Sequence, residues 1–458
     1  MTIVHPTGVP AHLPPRLTIT LWDFSWYTQA TAGEPFHHLD AAFTEAVERG
    51  YNTVRICAMP YLLFGDHDLD TSALRFTSMG GEVGRRTRWY DVAGGAVLDG
   101  RRRLLDLFEA ARRHDCYVIL SSWEYQQSPA FLTGREWYDT LISIPPSERH
   151  VTIARAMADL VGFVKDAGLA DRIAYAELHN EVDLSRLTQI GGGDADPYWP
   201  QRQAVADGVA VMRERHPDVL ATTCYGITPY LDMAAVPDNG QVAHFHVYVY
   251  GVLAALEKWA GVRVLPPEFP SPRLRALLRE DAPPFEDYAT QVESWRLAAT
   301  GVSASMFYSY DWVDTAKWDR WLYENYGDHR VAMTQALDDR LSVIARWADR
   351  HRVPAVIGEG WVGYTPLLAE FEDGPVGQGL AEHALRRCQE YGFWGVVLGS
   401  NSAPHHPGWR NVEWQRRWTG RFRADRGTDR PARPGAGQVA ASPVGTPANV
   451  SGTTNGEV

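Results

Sequence analysis

Residues 173–183 read IAYAELHNEVD, an apolar run that ends in the polar pair Asn180–Glu181. Such a run is typical of a buried strand, and the polar pair falls where that strand ends. Residues 353–363 (VPAVIGEGWVG) repeat the pattern and reach a carboxylate at Glu359. If both strands belong to one parallel barrel, the two glutamates face each other across its mouth. Two facing carboxylates are what hydrolysis of a glycosidic bond requires.

Strand and helix patterns alternate along the chain on both sides of these stretches. The predicted strands cover residues 17–24, 53–58, 117–122, 173–179, 219–224, 242–249, 353–358 and 394–398. Apolar residues at helical spacing predict helices at 36–50, 101–114, 147–167, 199–215, 285–300, 336–350, 378–391 and 411–422, with a short one near 229–235. Eight repeats, without a GxGxxG loop after the first strand, favour an α/β fold of the (β/α)8 TIM barrel type over an open doubly wound sheet.

The predicted domain organisation is one barrel over residues 17–424 with long insertions in its loops. A Pro-rich lead-in covers residues 1–16, and residues 60–99 form a long polar loop. An insertion at about 251–334 delays the helix that follows the sixth strand. The tail at 425–458 is mostly Pro, Gly, Ala, Ser and Thr with few large apolar residues, so we expect it to be disordered.

Composition narrows the possible partners and location. The chain has 458 residues, 45% of them hydrophobic, which is ample for a large core. Its formal net charge of -12 argues against nucleic acid or an anionic membrane as the main partner. The N-terminal sequence has no signal-peptide pattern and no apolar stretch is long enough to span a membrane, so we expect a cytoplasmic protein. The cysteines have no metal-binding or redox spacing. The oligomeric state stays open.

Polar residues at the predicted strand ends form one candidate cluster around Glu181 and Glu359. Arg55 lies in the second strand, and His246 and Tyr248 lie late in the sixth. A carboxylate nucleophile must stay ionised, which a neighbouring Arg or Tyr donor favours. The other carboxyl group must hold a proton at rest, which a negative neighbour and burial favour.

Four short motifs resemble the retaining glycoside hydrolases of clan A, especially the cellulase-like, family 5 type, over roughly residues 17–420. They are GYNTVRI (50–56), AELHNE (176–181), HVY (246–248) and IGEGW (357–361). The resemblance implies that Glu181 is the acid/base and Glu359 the nucleophile. It also implies that Arg55 braces the nucleophile and that Asn180 binds the sugar 2-hydroxyl.

The same resemblance places His246 near the sugar and Tyr248 beside the nucleophile. We add Trp123, Trp361 and Asn401, at the ends of the third, seventh and eighth strands, as candidate substrate contacts.

The sequence departs from the family pattern at three strand ends. Val182 stands where proline usually follows the Asn-Glu pair, and the third strand ends in Ser122-Trp123-Glu124, without the usual histidine. The eighth strand usually presents a tryptophan. Here VVLGSNSAPHH offers Asn401, His405 and His406.

The sequence also contains residues whose roles are supporting or open to two interpretations. Glu177 alternates with His179 along the fourth strand, so we expect it to point into the barrel as a support. Asp23, Trp26 and Glu124 lie at loop mouths, where they either touch substrate or have only a structural role. The aromatic run at 307–326 is either a subsite wall or lid, or a packed subdomain.

The sequence therefore predicts retaining hydrolysis of β-linked glycosides or short oligosaccharides, with a carbohydrate as the partner and no metal or organic cofactor. The alternative is a catalytically silent carbohydrate-binding barrel, which the changed third and eighth strand ends favour. A third possibility is other barrel chemistry, such as an isomerase or aldolase, with a metal cluster or a Schiff-base lysine. Lys165, Lys258 and Lys317 fall outside the predicted strand ends, which counts against the lysine route.

Overall fold

Apolar strands that are buried along their whole length dominate the centre of the molecule, as a parallel sheet covered on both faces requires. The computed structural model describes residues 8–191, 196–264, 267–363 and 365–424. Its strands are β1 Leu17–Asp23, β2 Thr53–Cys57, β3 Leu74–Thr77, β4 Gly94–Leu98, β5 Tyr117–Ser121, β6 Ile173–Glu177, β7 Ala221–Thr222, β8 Cys224–Tyr225, β9 Ala243–Tyr248, β10 Ala355–Trp361 and β11 Gly395–Val397.

The main sheet is parallel, with strand order β7-β6-β5-β2-β1-β11-β10-β9-β8. Thr223 alone separates β7 from β8. Because β7 pairs with β6 and β8 pairs with β9, the two short strands act as one interrupted strand that closes the sheet. The (β/α)8 barrel predicted from the sequence is confirmed. The predicted fifth strand at 219–224 is shorter than expected and is broken at its centre.

Helices surround this barrel. They are α1 Ser25–Thr28, α2 Leu39–Glu48, α3 Pro60–Phe64, α4 Gly100–Arg113, α5 Glu136–Ser143, α6 Arg149–Asp166, α7 Arg202–Arg215, α8 Val252–Ala260, α9 Pro272–Leu277, α10 Phe285–Ala289, α11 Ser294–Thr300, α12 Ala304–Trp312, α13 Thr315–His351, α14 Pro375–Tyr391 and α15 Val412–Ala424. The predicted helices that overlap α2, α4, α6, α7, α14 and α15 are confirmed, with ends shifted by a few residues.

The segment at 60–99 is more ordered than the predicted polar loop. It contains α3, and β3 pairs with β4 in a separate antiparallel hairpin. Pro60 starts α3, where the missing N–H is not needed, and the carboxylate of Glu124 accepts the N–H groups of Tyr61 and Leu62. Sequence periodicity missed this helix because a side chain distant in the sequence caps it.

The insertion after β9 is helical, and two predictions there need correction. The helix predicted at 285–300 is two helices, α10 and α11, and the helix predicted at 336–350 begins much earlier, at Thr315. Asp314 caps α13 by accepting the N–H groups of Ala316 and Lys317. The aromatic run at 307–326 packs inside this subdomain, with Trp318 fully buried.

The structure describes most of the N-terminal lead-in but not the C-terminal tail. Residues 8–16 are held against the base of the barrel. The indole of Trp394 donates to the carbonyl of Pro14, and the hydroxyl of Tyr117 donates to the carbonyl of His12. This part of the lead-in is therefore not loose. The predicted disordered tail at 425–458 lies outside the described residues.

Among the described residues, none of the helices combines the length and the apolar character needed to cross a bilayer.

Candidate active site

A cavity of about 560 Å³ opens at the carboxyl ends of the barrel strands. Glu181 and Glu359 both line it, together with Asn180, Trp123 and Tyr248. Its volume is in the range of small-molecule sites. The strand ends that were predicted to carry polar groups therefore meet around one space.

Arg55 organises the floor of this cavity from inside the barrel. It is fully buried in β2 and forms a two-pronged ion pair with Glu177, with Nε–Oε2 at 2.8 Å and Nη2–Oε1 at 2.7 Å. Its Nη1 donates to Glu359 Oε1 at 2.9 Å and its Nη2 donates to Asn180 Oδ1 at 2.5 Å. The guanidinium also lies 4.6 Å from the ring of Trp123. Arg55 thus links four of the barrel's strand ends through one planar cation.

Glu177 is the closed end of this network. Its Oε1 also accepts the hydroxyl of Ser121 at 2.9 Å, and His244 Nδ1 lies 3.2 Å from its Oε2. Burial opposes the charge of Glu177, but attraction by Arg55 lowers its pKa to about 2. The ring of His244 packs so tightly that a Cβ on Gly358 would lie 2.0 Å from Nε2. Glu177 points inward, as expected.

Glu359 is the open end of the same network. Its Oε1 accepts from Arg55, and its Oε2 accepts the hydroxyl of Tyr248 at 2.9 Å. The hydroxyls of Tyr248 and Ser400 are 2.6 Å apart, and Ser400 Oγ also accepts the N–H of Gly360 at 2.9 Å. Burial and the nearby Glu181 raise the pKa of Glu359, against the pull of His246 and Arg55.

Glu181 stands opposite, just beyond β6, with a backbone φ of +42° that is unusual for a residue with a side chain. Its Oε2 accepts the amide of Gln126 at 2.7 Å and its Oε1 lies 2.8 Å from His246 Nδ1. Burial raises its pKa. Gly226 leaves room for the carboxylate, since a Cβ there would lie 2.7 Å from it.

His246 lies between the two carboxylates. One ligand atom from each of Glu181, His246 and Glu359 can be chosen so that all three lie within 4.8 Å of one another. His246 Nε2 is 3.6 Å from Glu359 Oε1, which is too long for a hydrogen bond. Burial lowers the pKa of His246 to about 4, so the imidazole is neutral near pH 7.

Two polar residues that sequence reasoning missed complete the site. Gln126 bridges Glu181 and Asn180, since its amide oxygen accepts from Asn180 Nδ2 at 2.7 Å. Ser400 supports Tyr248. Gln126 follows the third barrel strand in an irregular loop, and Ser400 follows the eighth. Neither position shows a periodicity or motif that would have marked it.

The structure separates the remaining candidates. Trp123 borders the cavity that holds the two glutamates, whereas Trp361 and Asn401 border a different cavity of about 380 Å³ between α14 and α15. The indole of Trp361 donates to the carbonyl of Leu398. The use of Trp361 and Asn401 as substrate contacts therefore stays a prediction without support from this geometry.

The structure also shows the positions of Glu124, Trp26 and Asp23, for which the sequence allowed two interpretations, and of His179. Glu124 caps α3, and Trp26 is buried with its indole on the carbonyl of Cys57. His179 accepts the N–H of Tyr125 at Nε2, and burial lowers the pKa of His179 to about 3. Asp23 lines the cavity.

Part of the chain matches a known protein family. Residues 19–186 match a family described as cellulase-like and sugar-binding. Over this range the chain is similar to that family. The resemblance predicted from the sequence is confirmed at that level. The matched range contains Arg55, Trp123, Asn180 and Glu181, whereas His246, Tyr248 and Glu359 lie beyond it. No curated protein matches the chain.

Solved structures share the fold. A provisionally assigned glycoside hydrolase from Parabacteroides distasonis superposes with a TM-score of 0.64 at 19% identity, covering 90% of this chain and 94% of its own. A family 5 mannosidase from Rhizomucor miehei gives 0.46 at 12% identity, covering 92% and 95%. The first similarity supports the barrel fold, and the second is too low to bear on fold or function.

Proposed function

We propose that this protein is a retaining glycoside hydrolase of the family 5 type, in which Glu359 is the nucleophile and Glu181 the acid/base. The observation that carries the proposal is the separation of the two carboxylates. An oxygen of each, with a ring nitrogen of His246, lies within 4.8 Å of the others. Retaining enzymes hold their carboxyl groups about 5–5.5 Å apart, whereas inverting enzymes need roughly 6.5–9.5 Å to admit a water molecule.

The hydrogen-bond partners support this division of roles. Glu359 receives a guanidinium N–H from Arg55 and a phenol O–H from Tyr248, both of which stabilise a carboxylate anion. Glu181 contacts the neutral amide of Gln126 and the neutral ring of His246. Two buried carboxylates this close cannot both ionise readily, so the shared proton resides where the anion is less stabilised. That place is Glu181.

His246 fits the same protonation state. We assign the proton of its neutral ring to Nε2, which leaves Nδ1 to accept the hydroxyl of a protonated Glu181. The N–H at Nε2 then points toward Glu359 at 3.6 Å and adds a positive edge beside the nucleophile. His246 thereby holds the acid in place without competing for its proton.

The reaction follows in two steps. Glu359 attacks the anomeric carbon while Glu181 gives its proton to the departing oxygen, which forms a glycosyl ester on Glu359. Glu181, now ionised, takes a proton from water, and the resulting hydroxide displaces Glu359 from the anomeric carbon. The sugar leaves with its configuration retained, and Glu181 is protonated again.

Short soluble β-linked oligosaccharides or glycosides are the proposed substrates. The cavity is bounded by the segment after the second barrel strand and by the insertion after β9, including Trp89, Gly301 and Met306. An enclosed site of this kind suits a small substrate better than an insoluble polymer. We keep a cytoplasmic location as part of the proposal, and fractionation of the producing cells would test it.

The experiment is an assay of the purified protein against aryl β-glycosides in the gluco, manno, galacto, xylo and fuco series. We expect the wild type to release the aryl alcohol from at least one of them. Glu359→Gln should abolish release, because the amide is not a nucleophile, while Glu413→Gln, an exposed glutamate away from the site, should not. Release that persists in Glu359→Gln would contradict the assignment.

A catalytically silent sugar-binding barrel is the second candidate. The description of the matched family as sugar-binding and the raised pKa of Glu359 both favour it. It predicts that no glycoside is hydrolysed, yet titration calorimetry detects sugar binding that survives Glu359→Gln. The same panel of glycosides therefore separates the two functions.

A further inference from the structure

Two consecutive histidines after the last barrel strand face the end of the first one. The strands β1 and β11 are neighbours, so the loop after β11 lies beside Asp23 at the end of β1. His405 Nε2 is 3.2 Å from Asp23 Oδ2, and the rings of His405 and His406 have their centres 3.9 Å apart. One ligand atom from each of the three residues can be chosen so that all lie within 4.8 Å of one another.

These histidines are buried with unused polar atoms. His406 is 4% exposed, and within the described part of the chain neither of its ring nitrogens has a hydrogen-bond partner. The same holds for Nδ1 of His405, whose side chain is 1% exposed. Buried ring nitrogens are normally paired, and leaving one unpaired destabilises the fold. A ligand that binds one ring nitrogen of each histidine reduces this deficit.

We propose that Asp23, His405 and His406 bind a first-row transition metal ion, with Zn²⁺ as the probe. Two imidazoles and one carboxylate are ligands for Zn²⁺ and its first-row neighbours, whereas Mg²⁺ and Ca²⁺ prefer oxygen donors throughout. Tetrahedral ligands about 2.0–2.2 Å from Zn²⁺ stand roughly 3.3–3.6 Å apart. The 3.2 Å between His405 and Asp23 is close to such an edge.

The carboxylate of Asp23 is held in position by a hydrogen bond within the fold. Asp23 has a φ of +41°, a strained conformation for this residue type, and its Oδ1 accepts the N–H of Ser25 at 2.5 Å. That hydrogen bond leaves Oδ2 directed at His405. Orientation of a metal ligand by a hydrogen bond from behind is a general feature of metal sites.

The surrounding charges are compatible with a cation. Arg88 is close enough to His406 to act on it electrostatically, but it forms a buried ion pair with Glu372. Asp91 also acts on His405 electrostatically. Because Asp23 also lines the cavity of Glu181 and Glu359, the metal ion would tie the first and last strand ends together on the wall of that cavity.

The test is a calorimetric titration of the chelator-treated, full-length protein with Zn²⁺. We expect one equivalent to bind, and the Tm to rise with Zn²⁺. Asp23→Asn and His406→Gln should each weaken binding about 100-fold or more. His383→Gln is the matched control, because His383 lies 3.0 Å from Asp338 Oδ1 in a histidine–carboxylate pair outside the cluster. It should bind Zn²⁺ like the wild type.

A second measurement locates the ion and keeps the proposal independent of folding defects. Anomalous diffraction at the zinc edge should place the ion between Asp23 and the two histidines, and Glu359→Gln should still bind it. No binding in the micromolar range, or binding lost in Glu359→Gln but kept in Asp23→Asn, would overturn the proposal. The latter result would assign the ion to Glu181, His246 and Glu359. Since no proposed step of hydrolysis uses this metal ion, its failure leaves the proposed reaction untouched.

Discussion

The interior of the barrel and its mouth each hold carboxylates around Arg55, but the two regions differ in how far they bury these carboxylates and pair them with donors. Glu177 inside the barrel is fully buried, and both of its oxygens are occupied by donors. Glu359 and Glu181 at the mouth border the cavity, with side chains 5% and 13% exposed. One region fixes a charge inside the fold, and the other keeps two carboxyl groups available for chemistry.

The pKa values express this difference. The pKa of Glu177 is lowered to about 2 because Arg55 outweighs burial, so its ion pair stabilises the fold above the ordinary glutamate pKa of about 4.3. That stability is lost as the pH falls through about 2. The pKa values of Glu181 and Glu359 are raised by burial, so their ionised forms are disfavoured. A raised pKa lets an acid/base hold a proton near neutral pH, whereas a structural ion pair requires an ionised carboxylate.

After substitution of the proposed nucleophile Glu359, the largest expected effect is on Glu181, the proposed acid/base at the mouth. Glu181→Gln should lower kcat/KM about 10²–10⁴-fold for glycosides with a poor leaving group, because the departing oxygen is no longer protonated. Glycosides with an activated leaving group, such as dinitrophenyl, should lose far less in the first step. Steady-state kinetics across a leaving-group series measures this. Equal losses for all leaving groups would contradict the role of Glu181.

The interior should instead respond in stability. Glu177→Gln should reduce the free energy of unfolding by about 3–5 kcal/mol, because it removes one partner of a buried ion pair. Urea unfolding at neutral pH measures the change, with exposed Glu413→Gln as the control that should stay within about 0.5 kcal/mol. If Glu177→Gln unfolded like the wild type, Glu177 would not be the structural charge described above.

A smaller effect tests the anion support at Glu359. Tyr248→Phe removes the 2.9 Å hydrogen bond to Oε2, which should raise the pKa of Glu359 further and lower kcat/KM about 10-fold. The acidic limb of the pH–rate profile should move to higher pH. Ser400→Ala is the matched control, since the hydrogen bonds of Ser400 within the described residues reach Tyr248 and the backbone of Gly360 but not Glu359. A larger shift in Ser400→Ala than in Tyr248→Phe would contradict this account.

The smallest effect concerns Glu124, a buried carboxylate away from both regions. Burial raises the pKa of Glu124 to about 7, so the wild type loses stability as the pH rises toward 7 and the group ionises. Glu124→Gln should cost about 1 kcal/mol at pH 5 through poorer capping of α3. That difference should shrink or reverse by about pH 8. Unfolding curves at the two pH values measure it. A difference that grows with pH would contradict the expected sign.

The sequence alone predicts the barrel because its strands are short apolar runs with polar residues at their ends. Periodicity locates such elements well. It fails where distant side chains decide local structure, as at α3, whose first N–H groups are capped by Glu124. It also fails for the first half of α13, where aromatic residues buried against other helices obscure the helical spacing.

The site is predictable where its residues belong to strand-end motifs, and not where they lie in irregular loops. Arg55, Glu181 and Glu359 stand at strand ends, where the topology of a barrel brings them together. Gln126 and Ser400 lie in irregular loops, and only the folded chain shows that they reach Glu181 and Tyr248. Trp361 belongs to the same motif as Glu359 but borders another cavity, although alternation along a strand would place residues two apart on the same face.

The most direct test of the central claim is covalent trapping of the nucleophile. The protein is incubated with activated 2-deoxy-2-fluoro-β-glycosides of the gluco and manno series, digested, and examined by mass spectrometry. We expect a single fluoroglycosyl group on the peptide that contains Glu359, and none in Glu359→Gln. A label on Glu181 or Glu177, or no label while calorimetry shows that the glycoside binds, would contradict it.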